Sequence, residues 1–462
     1  MATHTLKITG GDLGADITFN KVYEYVPRSP EVQTIDYNPG ALADGGDILN
    51  TAFRNVTESA YVCITDSTTS AVRTRINAIE RIFRYAERKQ RLNQGSSVYV
   101  VWDPGGTGST GYRSEILTGR VELDEGAFKA TQWEKTRIRL RLTWTRRFYW
   151  EDLTATDFWI DWITIYNHND SGHDNFYQID VTTEVAGTLP SPVTLWIRNT
   201  LNDATYMTDV YASISTITNT YTVLEAESAA DPTPTPESDA TCSGTATQEK
   251  ETLPAIGTSE AELIEWAINN SWQTTWQGRY ARVIARFADT TNLGSTTWRL
   301  KWGSSTATGS VFWTGPSITT AASPSSNLVD LGLIRIPPYG IKESPYQTIY
   351  LKLWGKRDTG SSACALDCLF LLPADNLRYY AKGSSISGIP YNGYLRDLGY
   401  LDSVSYVSGS NAGPGYIVYG RPMVVFPGED QYLYVVVRDN STTLISRTIN
   451  LLGQYYKRRL TI

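Results

Sequence analysis

The sequence predicts a mainly β protein of several domains, and three observations carry that prediction. The first is length: 462 residues exceed what one ordinary core organises, so two to four domains are expected. The second is composition. Fourteen Trp and 29 Tyr stand against only 19% charged residues, and aromatic, Thr-rich, Gly-punctuated sequence suits a pleated, half-buried surface. The third is period-two alternation, clearest from Arg137 to Phe148. There Ile138, Leu140, Leu142 and Trp144 point one way, while Arg137, Arg139, Arg141, Thr143, Thr145 and Arg147 point the other.

One segment departs from this pattern. Val72, Ile76, Ile79, Phe83 and Ala86 recur at helical spacing, which predicts one amphipathic α-helix. Its other positions carry Arg73, Arg75, Arg81, Arg84 and Arg88, a solvated or partner-facing side. After it, Ser97–Trp102 reads as a strand that stops at the turn signature Asp103-Pro104-Gly105-Gly106. The arginines of the 137–147 strand face would repel one another unless acids, water or another subunit lie opposite. That face is either a solvated exterior, a subunit interface or a channel lining.

Further along, Val193, Leu195 and Ile197 alternate, and a stiff Pro/Thr linker follows at Ala230–Pro236. Strands recur at 280–287, 298–302 and 349–354, as regular short strands of a sandwich or jelly roll do. The capping-box sequence Ser259-Glu260-Ala261-Glu262 predicts a short helix through Trp266. The clearest closing strands are Tyr432–Val437 and Leu444–Ile449.

The formal charge of −7 argues against a general nucleic-acid binder, and no sequence-specific nucleic-acid binding is expected. The N-terminus has no apolar signal region, and the longest apolar run, Leu369–Leu372, is far short of a membrane span. Catalytic chemistry is poorly provided for. The three histidines are His4 in the terminal segment and His168 and His173 in a polar loop whose spacing matches no metal motif. Cys364 and Cys368 lack the second close pair of a zinc ribbon, and four cysteines are too few for a disulfide framework. The Gly-rich loop at 103–111 lacks the Lys of a phosphate-binding loop. Non-enzymatic function is therefore expected. Trp266, Trp272, Trp276, Trp298, Trp302, Trp313 and Trp354 crowd one region. Most should be core, with Trp266, Trp272, Trp276 and Trp313 as candidates for a glycan-stacking platform.

Two resemblances extend this reading. Val223–Ser228, Gln277–Arg286, Leu328–Pro337 and Leu366–Pro373 resemble successive strands of a class of β-sandwich carbohydrate-binding modules. In that class, paired acids of the first strand and an acid of the last hold a structural calcium; carried over, those positions are Glu225, Glu227 and Asp367. A first domain of strands plus one basic helix, ending in the strand of 137–150, is similar to the ring-forming domain of bacteriophage distal tail (baseplate hub) proteins. The closing segment Gly420–Tyr434 resembles a signature near the end of many phage tail proteins.

The distal tail resemblance implies a tail-tube-like β-barrel or sandwich domain with one α-helix (residues 1–177). A galectin-like sandwich split between 178–222 and 376–462 would follow, with a jelly-roll module, 223–375, inserted in it. It also implies a homo-oligomer, a hexameric ring with the tail tube, baseplate hub and tail fibre proteins as partners. Host surface polysaccharide is a further implied partner, and the protein would be assembled in the host cytoplasm and reside at the virion's tail tip. Arg73, Arg81, Arg84, Arg137, Arg139 and Arg141 become the expected subunit or lumen contacts. The alternatives are a minor tail or tail-tube protein with a decoration domain, a free carbohydrate-binding adhesin, or a glycan-active enzyme.

Overall fold

A computed structural model of the chain describes residues 4–19, 21–37, 47–92, 95–105, 111–123, 136–157, 163–165, 176–181, 185–200, 206–229, 235–238, 242, 247–253, 259–303, 311–337, 348–358, 362–399, 404–408, 411–413, 415–440 and 449–462. The chain forms two compact units. One comprises Met1–Thr156, Gly187–Ser191 and Tyr456–Ile462, the other Asp157–Ala186 and Pro192–Tyr455.

The first unit is built on an antiparallel sheet whose centre is Arg137–Arg146. That strand pairs along its whole length with Val56–Thr65 and, on its other side, with Tyr112–Leu123. Its alternating side chains divide cleanly: Ile138, Leu140, Leu142 and Trp144 enter the core, and Arg137, Arg139 and Arg141 stay exposed. Helix α1, Thr69–Leu92, covers the core side with Val72, Ile76, Ile79, Phe83 and Ala86 buried. Thr68 accepts from the Ala71 amide at 3.1 Å and satisfies one of the open donors at the helix start. Lys89 and Arg91 in the last turn complement the helix dipole. Close approach of the helix depends on Gly119, where a Cβ would lie 2.6 Å from the Phe83 ring.

Arg146, at the end of the central strand, points inward and is fully buried. It pairs with Glu58 at 2.7 Å, and Glu58 also accepts from the Tyr25 hydroxyl at 2.9 Å and the Arg28 amide at 2.7 Å. The chain's last residues return to this unit. Arg458–Arg459 pairs with Trp150–Asp152, and Arg458 holds Glu151 at 2.8 Å. The first unit therefore ends at Thr156 rather than 177 and takes in the C-terminus, because these ion pairs and edge hydrogen bonds join the two segments.

The second unit stacks four sheets. Ile449–Tyr455, Ser191–Asn199, Tyr394–Asp397 and Val404–Ser408 form one sheet. Phe176–Asp180, Tyr432–Asp439, Met207–Ser215, Leu377–Lys382 and Tyr416–Tyr419 form the next, and a common core lies between the two. Met207–Ser215 and Leu377–Lys382 are hydrogen-bonded neighbours, Val210 opposite Tyr380 and Ser213 opposite Leu377. Everything from 216 to 376 is thus inserted at the end of one strand pair. The insert builds two further sheets. One contains Thr247–Leu253, Ser362–Pro373, Tyr280–Phe287 and Leu328–Arg335; the other contains Ala261–Ile268, Ile349–Arg357, Thr296–Gly303 and Val311–Thr314. Its core holds Trp266, Trp276, Trp298 and Trp302. A third apolar layer, Phe176, Tyr211, Tyr434 and Val436 against Ile284, Leu328, Phe370 and Leu372, fills the space between the two sandwiches.

The helix expected from Ser259 through Trp266 is a strand, Ala261–Ile268, paired with Ile349–Arg357. The Glu262 carboxylate of the apparent capping box bonds the buried Lys352 ammonium at 3.0 Å, and Glu265 holds the same ammonium at 2.7 Å. The helix comes one element later, as α2, Asn270–Trp276, with the Asn269 side chain accepting from the Trp272 amide. The His168–His173 loop, most of the Pro/Thr linker and most of Leu444–Ile449 lie outside the described residues.

Replacing Gly119 by Ala forces the Phe83 ring and α1 off the sheet. Urea unfolding should show a loss of about 1–3 kcal/mol; a variant as stable as the parent would show that the helix is not seated there.

Candidate assembly surfaces and a buried cation cluster

The expected contact arginines lie on two faces of the first unit, on opposite sides of its sheet. On α1, Arg73, Arg81, Arg84, Arg88 and Arg91 are all exposed and follow one stripe, with Glu80 and Glu87 the acids near it. Arg91 is paired with Glu87. Among the described residues, Arg81 and Arg84 have no ion-pair partner. Arg75 does something else: its guanidinium donates to the carbonyls of Thr65 at 3.1 Å and Thr18 at 2.9 Å, pinning the start of the helix.

The far end of α1 is held by Glu115. Its carboxylate accepts from Lys89 at 2.5 Å, Ser97 at 3.0 Å and Arg147 at 3.0 Å. Burial pulls this carboxyl upward, but the hydrogen bonds and charges of Lys89 and Arg147 outweigh it and hold it below its ordinary value.

On the open sheet face the expected repulsion among the arginines is relieved by aromatic rings. Arg139 lies over Tyr23 at 4.7 Å and Tyr61 at 5.4 Å, and Arg141 lies over Tyr61 at 5.9 Å with Glu122 at 3.8 Å. Arg137 donates to the Tyr23 hydroxyl at 3.0 Å and to Cys63 Sγ at 3.2 Å. Cation–π contacts of this kind are each worth about 0.5–1 kcal/mol at exposed sites. They order the guanidiniums and leave their charge outward. Beyond them run hydroxyl pairs, Ser59 with Thr143 and Thr57 with Thr145.

The sugar-stacking candidates are placed otherwise. Trp266, Trp272 and Trp276 are buried, so none presents a ring face to a sugar. Trp266 and Trp276 spend their indole N–H groups on the carbonyls of Glu225 and Tyr221. Trp313 is half-buried against the same core.

The expected calcium acids are partly brought together. Among the described residues, Glu225, Asp367 and Cys368 place ligand atoms within 4.8 Å of one another. Glu227, on the following 3-10 turn, is not in that group. With Arg286 in place the set does not fit calcium, because the guanidinium already occupies the Asp367 carboxylate and would oppose a second cation. One of the three ligands is a thiol, and Asp367 is already ion-paired to the fully buried Arg286. All four cysteines are buried.

No family model and no curated protein matches the sequence. Among solved structures the chain is similar to phage baseplate chains. In the structure of the phage P2 baseplate in its activated conformation with Ca, a chain is 8% identical, with a TM-score of 0.27 over 78% of this chain and 100% of that one. Another is the SPP1 Dit protein, described as a paradigm of the hub adsorption apparatus of phages infecting Gram-positive hosts. It is 10% identical, with a TM-score of 0.24 over 79% of this chain and 99% of that one.

Glu115→Gln should cost about 1–3 kcal/mol at neutral pH by leaving Lys89 and Arg147 without their acid. A carboxyl held below its ordinary 4.5 contributes stability above that pH and loses it as pH falls through the lowered value. The gap between parent and variant, followed by denaturant titration, should therefore close on acidification. A gap that stays constant down to pH 2 would refute this assignment.

Proposed function

We propose that the chain is a structural virion protein of a long-tailed phage, a distal tail ring connecting the tail tube to the baseplate hub and host-recognition apparatus. The observation that carries this reading is the first unit, whose large antiparallel sheet has a basic helix stripe on one side and an ordered basic face on the other. In a chain of net charge −7, two such faces on one unit suit contacts with acidic surfaces of neighbouring copies or of adjoining tail proteins. Ring closure would also cover the short edge strand Lys21–Glu24, whose backbone groups otherwise remain open to pairing.

The second unit is the part we assign to tail fibre proteins or host polysaccharide. Repetition around a ring multiplies weak contacts of that kind. A free carbohydrate-binding adhesin is the competing reading, and burial of Trp266, Trp272 and Trp276 leaves it Trp313 alone of the four candidate rings.

Purified full-length protein should form rings of about six copies by mass measurement and electron microscopy. The double variant Arg81→Glu, Arg84→Glu should shift it to smaller species while leaving the melting temperature in place. A monodisperse monomer at high concentration would remove the ring.

A further inference from the structure

The Glu225–Asp367–Cys368 cluster is assembled by an irregularity in the longest strand of the insert. Along Ser362–Pro373, Cys368 opposes Arg286 and Leu366 opposes Phe287, which leaves Asp367 as an extra residue. A bulge sets two consecutive residues against one partner, so Asp367 and Cys368 both face Arg286. On the strand's other edge, Glu225 of Val223–Glu225 opposes Cys368. Three strands thus bring two carboxylates, a thiol and a guanidinium to one place.

Burial makes this arrangement electrostatically demanding. Asp367, Cys368 and Arg286 are all fully buried. A carboxylate in such a place needs a counter-charge and hydrogen bonds to remain ionised. The Asp367 carboxylate accepts from Arg286 Nη1 and from Cys368 Sγ, the latter at 3.4 Å. A divalent ion bound among the same acids would sit against the guanidinium, and Arg286, fully buried on the interior strand Tyr280–Phe287, has no solvent to retreat into.

We propose that the Arg286 guanidinium is the resident cation of this cluster. It takes the place of a divalent ion, so the inserted module folds without metal. The charge that neutralises Asp367 is covalently part of the chain and cannot be stripped by a chelator. The same geometry implies a latent ion site. Removing the guanidinium leaves Glu225 and Asp367 facing a space of its size, which a hydrated calcium ion can fill with oxygen ligands.

The test is thermal melting of the full chain in EDTA and in calcium chloride. The parent should melt at the same temperature in both, and so should Arg286→Lys, which keeps a cation in place. Arg286→Ala should melt lower in EDTA and recover by about 3 °C or more in calcium. Adding Glu225→Gln to Arg286→Ala should abolish that recovery, which locates the ion at this cluster. A parent that loses stability in EDTA and regains it with calcium overturns the proposal, because an ion then shares the site with Arg286. A folded Arg286→Ala protein indifferent to calcium overturns the latent site. Should Arg286→Ala fail to fold in either medium, the parent and Arg286→Lys melts still decide whether the resident cation is the guanidinium.

Discussion

The second unit depends on two strands that are buried on both faces. Ser362–Pro373 sends Leu366, Leu369 and Leu371 into the core of the insert, and Cys368, Phe370 and Leu372 into the layer shared with the outer sandwich. Tyr432–Asp439 does the same from the other side, with Val435 and Val437 in one layer and Tyr434 and Val436 in the next. A strand with two apolar neighbours cannot alternate with polar residues, so Cys368–Leu372 and Tyr432–Val437 read as continuous apolar runs. The layer between them is keyed as well as apolar. Phe176 stacks on Phe370 at 5.1 Å, and the Tyr211 hydroxyl donates to Asp330 at 2.9 Å beside Arg282 at 2.8 Å. An insert joined only by its two connections would be free to swing; this one shares a core with its host.

The arginines serve two opposite ends. On the two outer faces of the first unit they remain exposed, where a single pair is worth about 0–1 kcal/mol and partners can be exchanged. Inside the cores they are locked to one acid each: Arg146 to Glu58, Arg286 to Asp367, and Arg378 to Asp397 at 2.7 Å. Asp397 shows the cost of such a position. Burial pushes its carboxyl above the ordinary range, opposed by Arg378, by the Tyr380 hydroxyl and by the Gly399 amide. Buried pairs of this sort contribute little net stability, but breaking one costs about 3–5 kcal/mol. They therefore discriminate against other registers more than they stabilise the correct one.

Local pattern made much of this fold legible. The 72–86 helix and the alternation from Arg137 to Trp144 each reflect one buried face, and such a face writes its period into the sequence. What stayed hidden depends on distant partners. Glu262 belonged to a capping box until Lys352, 90 residues away, claimed it. Arg146 follows an alternating strand, and nothing nearby announces that Glu58 will neutralise it across 88 residues. Asp367 was legible as an acid of interest from resemblance, but the bulge that turns it onto Arg286 exists only in the register of two strands. The tryptophans misled for a related reason. A large ring with one polar atom serves a core or a platform equally well, and the deciding carbonyls of Glu225 and Tyr221 belong to a different strand and turn.

The same connection bears on how the insert is attached. Glu225 offers its carbonyl to Trp266, at the centre of the insert's core, and its carboxylate to the cluster around Asp367 and Arg286. The strand that leads into the insert is therefore anchored twice at one residue, by the Trp266 indole on the Glu225 carbonyl and by pairing of Glu225 with Cys368. On the return side, the Pro373 carbonyl accepts from Ser213 at 2.6 Å, beside the strand pair that the insertion interrupts. Both crossings are fixed by groups belonging to the chain. A load applied to the insert would then be carried by the shared apolar layer and these two anchors together.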